Sequence, residues 1–377
     1  MRIGVDARAL TGRWTGDRTY WLNLVRGLLE SVPDKDDLVL YTRLPLDEGL
    51  LPAGRRCVVR MVPAANDRLW TMLHFPRALR SDGIDIAHTQ YTTPLRAPCP
   101  LITTVHDISF RLYPEWFPRK HRMLLNLSVP VAMRRARIVI TDSASSRRDI
   151  LRIYRLAPDK VEAIHLAAAP EYVPVPADIA RRYVQERFGI SDPFVLSVGV
   201  LQPRKNFALL VEACARALRK KPLPHKLVLT GKRGWRVDEI TRLAARLDLL
   251  DRMIFTDYVP DDALPLLYSA TDVMAYPSLY EGFGLPPLEA MACGAPTLVS
   301  DAPAMPEVVG DGAWVLPVMD ACAWADGLIA MLTDERVRRC WSERARARAA
   351  CFSWKETTRK TLRAYYRALG LEDKRNE

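Results

Sequence analysis

Short apolar runs alternate with stretches of helical spacing along the whole chain, and two such sets open in the same way. Residues 3–5, Ile-Gly-Val, lead into a loop bearing Gly12 and Gly16 and then into an apolar-periodic stretch over 20–29. Residues 194–200 lead into Leu201-Gln202-Pro203-Arg204-Lys205-Asn206 and a periodic stretch over 207–218. Each reads as strand, loop and helix, the first unit of a doubly wound sheet, whose loop at the carboxyl end of the strand can meet a ligand. Further runs at 38–41, 58–62, 84–87, 101–105 and 138–141 follow the first opening. Runs at 226–230, 253–256, 272–276, 296–300 and 314–317 follow the second. Apolar runs of this length with helices between them predict parallel sheets covered on both faces.

The fold class is therefore α/β, with two Rossmann-like domains, 1–175 and 176–354. The boundary is set by an aperiodic stretch carrying Pro170, Pro174 and Pro176. The C-terminal segment 355–377, helical by pattern through 369, is expected to pack back on the first domain.

Composition narrows the class. The 377 residues are 49% hydrophobic and 26% charged, enough for two ordinary cores. No apolar stretch approaches the roughly 20 residues that span a bilayer. The N-terminus reads as a strand with Asp6 behind it, unlike a secretory signal, which places the chain in the cytoplasm. Seven cysteines, odd in number and without a CxxC pair, exclude a disulfide framework and are read as buried small hydrophobes. The net charge of +11 is uneven: 26 basic against 18 acidic residues in 1–175, and 29 against 26 in the remainder. Aromatic-interleaved basic motifs are lacking, which disfavours nucleic acid as a partner. The loop without a GxGxxG pattern disfavours a nicotinamide. Asp34-Lys35-Asp36, the one notable DxD, reads as solvated charge in a loop, and no metal site is predicted.

The densest chemistry lies in Tyr276-Pro-Ser-Leu-Tyr-Glu281-Gly-Phe283-Gly284-Leu285-Pro-Pro-Leu-Glu289-Ala-Met-Ala-Cys-Gly294. Prolines suit a first helical turn and Gly294 suits the residue past a helix end, so Glu281 is placed in the loop and Glu289 in the first turn. Gly282 and Gly284 let the backbone approach a ligand. A carboxylate pair beside free helix amides suits a polyol. Glu281 can accept from hexose hydroxyls and Glu289 from ribose hydroxyls, at about 1.5–3 kcal/mol for each charge-assisted bond. Arg204 and Lys205, next to a helix start, make a site for a diphosphate. Both Lys205 and Glu281 are expected at a cleft surface, so that alanine variants would keep the fold. Beyond the run 101–105, His106-Asp107 sits at a strand end, and His88 follows the run 84–87 in the same way.

The spacing Glu281-x7-Glu289, with Ser278-Leu-Tyr-Glu-Gly-Phe-Gly-Leu-Pro, Glu289-Ala-Met-Ala-Cys-Gly and Pro306-Glu307-Val-Val-Gly310-Asp311, resembles the GT-B-fold retaining glycosyltransferases of family 4, the glycogen-synthase-like group. The resemblance runs over nearly the whole chain and is weakest over 34–80. It implies two Rossmann-like domains facing across a cleft. Transfer of a hexose from a nucleotide-diphosphate sugar, without a cofactor or metal, follows from it as well. It casts His106, Arg204, Lys205 and Glu281 as catalytic and Gly16, Phe283, Gly284, Leu285 and Glu289 as donor-binding. On the acceptor side it puts His88 and Asp107.

In the family a lysine at the position of Lys205 contacts the diphosphate and a histidine at that of His106 touches the transferred sugar. Many members carry an arginine where this chain has Val200, so its role is assigned to Arg204. Thr15 belongs to the loop expected to close over the donor phosphates or the acceptor. Several relatives with the Val105-His106-Asp107 and Pro203-Arg204-Lys205-Asn206 patterns use GDP-mannose, the first candidate donor here. The expected acceptor is a glycan or lipid-linked sugar of cell-surface polysaccharide synthesis. An anionic membrane surface is a further expected partner, met by a basic stripe of Arg148, Arg152 and Arg155. A sugar phosphorylase or nucleotide-sugar epimerase on the same fold, or a non-catalytic basic binding protein, are the alternatives.

Overall fold

A computed structural model describes residues 1–12, 16–51, 57–234 and 237–371. It divides into two compact units, Met1–Leu166 with Ser353–Glu377, and Ala167–Phe352. Thr15 lies outside the described residues.

The first unit holds seven parallel strands: β1 (Arg2–Asp6), β2 (Asp37–Thr42), β3 (Cys57–Met61), β4 (Ile86–Gln90), β5 (Leu101–Thr104), β6 (Ile138–Thr141) and β7 (Val161–Ala163). Their order is β3-β2-β1-β4-β5-β6-β7. Chain direction across the sheet reverses between β1 and β4, where ligands of such sheets bind beyond the carboxyl ends. Helix α1 (Gly16–Ser31) follows β1, and α2 (Arg119–Arg135) lies between β5 and β6. One core gathers Val39, Trp70, Phe75 and Leu79; another gathers Val105, Ile108, Val129 and Ile150.

The second unit holds β8 (Phe194–Val198), β9 (Lys226–Thr230), β10 (Met253–Asp257), β11 (Val273–Tyr276), β12 (Thr297–Ser300) and β13 (Trp314–Leu316), in the order β10-β9-β8-β11-β12-β13. All are parallel, and β8 meets β11 with Val195 opposite Val273. Helix α3 (Phe207–Lys220) buries Phe207, Leu210, Val211, Cys214 and Ala217, the spacing of one helical face, against the core of Val195, Leu229, Val273, Leu298 and Trp324. Helix α4 (Leu285–Ala292) follows β11.

Helix α5 (Trp354–Ala368) is capped by the Ser353 side chain, which accepts from the Glu356 amide. It belongs to the first unit and packs on α1. There Gly27 has no side chain because a Cβ would collide with that of Thr358. Tyr365 and Trp354 of α5 are buried, and Thr357 Oγ1 donates to the His165 carbonyl at 2.7 Å.

Several expectations change. The proline-bearing stretch goes with the second unit from Ala167 onward, because Tyr172 packs on Tyr268 and the Val175 amide donates to Ser269 Oγ. Asp36 is not solvated: its carboxylate binds the N-terminal ammonium at 2.6 Å and accepts from Tyr366. Cys322, Cys340 and Cys351 are exposed, unlike buried Cys214 and Cys293. Arg155 stands past the end of its helix in a left-handed conformation, so the stripe with Arg148 and Arg152 is incomplete. No helix among the described residues is long and apolar enough to cross a membrane.

Candidate active site

In the second unit the loops after β8 and β11 meet at the point where the strand order reverses. The chain leaves β8 through Gly199 (φ 156°) and makes a single turn, Pro203–Lys205, closed by Asn206 in the left-handed region (φ 53°). The backbone of the β11 loop is fastened to this turn by the Leu279 amide, which donates to the Arg204 carbonyl at 2.8 Å. As a result Arg204, Lys205 and Glu281 converge. Lys205 Nζ donates to Glu281 Oε1 at 2.6 Å and to the Tyr276 hydroxyl, and Arg204 Nη1 donates to Glu281 Oε2 at 2.8 Å. Ser278 Oγ adds a bond of 2.5 Å to Glu281 Oε1.

Lys205 and Glu281 are only 7% and 6% exposed, so they form a buried pair rather than the open surface groups expected. Burial alone would raise the Glu281 carboxyl. Arg204, Lys205 and the Ser278 hydrogen bond outweigh it and draw the carboxyl down to about 2. The site holds two fixed cations beside one fixed anion, so an incoming diphosphate competes with Glu281 for the same donors.

Gly284 (φ 105°) lets the loop turn into α4, where a side chain would strike Met305. Phe283 is buried with its ring edge-on to Phe352, and Leu285 is the first residue of α4. Glu289 is the fifth residue of α4, in the second turn and not the first, because the helix begins at Leu285, ahead of both prolines. It too is buried. Burial, then the charges of Asp261 and Glu171, push its carboxyl up to about 8, while Tyr268 donates to it at 3.2 Å. Glu281 is thus held ionised while burial favours the neutral form of Glu289, so the two carboxyls of the Glu-x7-Glu motif are pushed in opposite directions.

In the first unit, His106 follows β5. Its Nδ1 lies 2.7 Å from Asp142 Oδ2, its Nε2 2.6 Å from Gln90 Nε2 and 3.6 Å from Asp17 Oδ1. Burial opposes charge on the ring, but Asp142, Asp17 and Asp107 outweigh it and push the imidazole up to about 9. Asp107 caps the following turn through the Ser109 amide and hydroxyl at 2.8 and 2.6 Å. Gly16 opens α1 with free space beside its Cα.

His88 does not follow a strand but lies within β4, fully enclosed. Its nitrogens are taken up by Tyr365 and Thr104 at 2.7 and 2.8 Å, and burial pushes it down to about 3. The acceptor role expected for it gives way to holding α5 on the sheet.

Sequence reasoning quoted Tyr276 and Ser278 within the motif but gave them no role, and it passed over Tyr268, Gln90, Trp21 and Asp142. Of these four Asp142 carried a signal, since it follows an apolar run as His106 does.

Two family models match the chain: glycosyl transferases group 1 over residues 184–348, and glycosyltransferase family 4 over 15–171. The chain is 34% identical over 266 residues to the O-antigen chain mannosyltransferase B of Escherichia coli, covering 70% of this chain and 69% of that protein. It is 32% identical over 238 residues to the serotype-specific mannosyltransferase WbdA of Escherichia coli, covering 62% of this chain but only 29% of that longer protein. Among solved structures, the sucrose-phosphate synthase of Thermosynechococcus elongatus matches with a TM-score of 0.74 at 20% identity, over 98% of this chain and 99% of that one. Anabaena Alr3699/HepE in complex with UDP and glucose matches with a TM-score of 0.73 at 19% identity, over 97% and 99%.

With two parallel-sheet Rossmann-like units and these relatives, the chain belongs to glycosyltransferase family 4, of GT-B fold. It is a glycosyltransferase.

Proposed function

We propose that the chain is a retaining, metal-independent hexosyltransferase that uses a nucleotide-diphosphate sugar, with GDP-mannose as first choice, in cell-surface polysaccharide synthesis. The observation that carries this reading is the convergence of Arg204, Lys205 and Glu281 at the β8–β11 switch point, where a doubly wound sheet binds its ligand. Mannose is favoured because the O-antigen chain mannosyltransferase B and WbdA, both mannosyltransferases by name, are among the relatives. The second unit, Ala167–Phe352, then binds the donor, and the first unit the glycan or lipid-linked acceptor.

In this reading Arg204, Lys205 and the Leu285 amide at the start of α4 stabilise charge as the diphosphate departs. Glu281 orients those cations and accepts from the hexose, and Glu289 accepts from the ribose. The acceptor hydroxyl arrives on the face the diphosphate leaves, and a phosphate oxygen takes its proton. His106 contacts the transferred sugar. Thermal unfolding in a panel of nucleotide sugars tests the donor. A ligand at about 100 times its Kd stabilises the fold by about 2.7 kcal/mol. GDP-mannose is expected to raise Tm while UDP-sugars do so less, and no shift with any nucleotide sugar would remove the donor site.

Peripheral attachment at the inner face of a membrane is part of the same proposal. Its support is now α2 rather than the Arg148 stripe. Met123, Leu127 and Val131, four residues apart, are exposed along one face of α2, with Arg119, Lys120, Arg134 and Arg135 exposed at its ends. Apolar side chains in such a frame enter a lipid interface, and each nearby cation adds about 1 kcal/mol on anionic lipid. Sedimentation with vesicles containing phosphatidylglycerol at low salt is expected to carry the protein down. A Met123→Ser, Leu127→Ser variant that sediments equally well would contradict the role of α2.

A further inference from the structure

The surroundings of His106 contain a conflict that the geometry resolves in one way only. Trp21 Nε1 lies 2.7 Å from Gln90 Oε1, and an indole nitrogen can only donate. The Gln90 amide is therefore oriented by Trp21, which is fully buried, and its Nε2 hydrogens point at His106 Nε2, 2.6 Å away. An amide nitrogen accepts nothing, so Nε2 of the ring must be the acceptor. The Nδ1–H is then donated to Asp142 Oδ2 at 2.7 Å. Turning the ring over would strand Asp142, whose other oxygen is buried without a partner among the described residues.

The groups around the ring favour the opposite state. Asp17 of α1 lies 3.6 Å from Nε2, Asp142 follows β6, and Asp107 is the next residue in the chain. Their charges favour the imidazolium, and His88 of β4, kept neutral by burial, sets no charge against it. Tyr20 and Tyr91 meet the ring edge-on at centroid distances of 4.9 and 5.7 Å. An imidazolium would set its Nε2–H against the Gln90 N–H. Gln90 would have to turn its amide, and the buried Trp21 N–H would lose its acceptor. Tyr91, next to Gln90, holds φ at 56°, a left-handed conformation unusual for an aromatic residue.

We propose that Gln90, oriented by Trp21, is a positioning residue that donates to His106 Nε2, fixes the neutral form of the ring as the Nδ1–H tautomer, and ties protonation of the ring to a turn of the amide. This deepens the reading of His106 as a sugar contact and rests on it for its catalytic consequence. The tautomer and the coupling stand apart from that reading.

NMR on protein with 15N-labelled histidine and tryptophan tests both. The neutral form of His106 is expected as the Nδ1–H tautomer, and the Trp21 indole N–H resonance is expected to move with pH at the same midpoint as His106. In Gln90→Glu the carboxylate accepts from ring and indole together. The midpoint then rises by about one pH unit or more, a tenfold change in proton affinity, and the indole resonance no longer follows a turn. Gln90→Leu serves as the second variant and also uncouples the two resonances. A neutral Nε2–H tautomer, or an indole resonance without an inflection at the His106 midpoint, would overturn the proposal. If both resonances behave as expected while Gln90→Glu leaves the pH profile of transfer where it was, the sugar contact of His106 fails and the positioning role stands.

Discussion

Lys205→Ala and Glu281→Ala are each expected to lose transfer by about 100-fold or more and also to unfold at lower temperature. For Lys205 the first effect follows from removing a cation placed where the leaving diphosphate develops its charge, and for Glu281 from losing the carboxylate that orients that cation and accepts from the hexose. The second follows from burial. Lys205 and Glu281 pair at 2.6 Å with little exposure, and removing one partner of a buried pair leaves an uncompensated charge, at about 3–5 kcal/mol. The sequence alone led to the opposite expectation for the fold, because it placed both groups at an open surface.

The double variant Lys205→Met, Glu281→Gln removes both charges while keeping the volume, and should recover most of the lost stability but none of the activity. That split separates a role in transfer from a role in folding. A pH series adds a sign. The Glu281 carboxyl sits at about 2 in the fold against an ordinary 4.5, so its stabilisation is complete above 4.5 and disappears as pH falls through 2. The Tm gap between wild type and Glu281→Ala should therefore close from pH 5 toward pH 2. A gap that stays constant would mean that the carboxylate is not held by Arg204 and Lys205.

What could be read from the sequence and what could not divide along the range of the interactions. The turn at Pro203–Lys205, the glycine-bearing loop before α4 and the helix end at Gly294 are fixed by residues adjacent in the chain, and the residue types alone announced them. The contact between Lys205 and Glu281 joins residues 76 apart, and only the order of β8 beside β11 brings them together. Strand β4 was ended too early because its later residues, His88, Thr89 and Gln90, are polar. They are held in the core or at its margin by partners from elsewhere, Tyr365 and Ile102 among them. The same long-range satisfaction hid Asp36, which waits on Tyr366 of α5. Strand β7, three residues at a sheet edge, is too short to show a period.

The measurement that bears most directly on the central claim is the configuration of the new linkage, read by NMR on product formed from GDP-α-mannose and a mannosyl acceptor in excess EDTA. Arg204, Lys205 and the Leu285 amide are taken to meet the charge of the departing diphosphate, and the acceptor is taken to enter on the face it leaves. The account predicts turnover undiminished by EDTA and an α-linked product. A β-linked product, or transfer that depends strictly on magnesium or manganese, would contradict it.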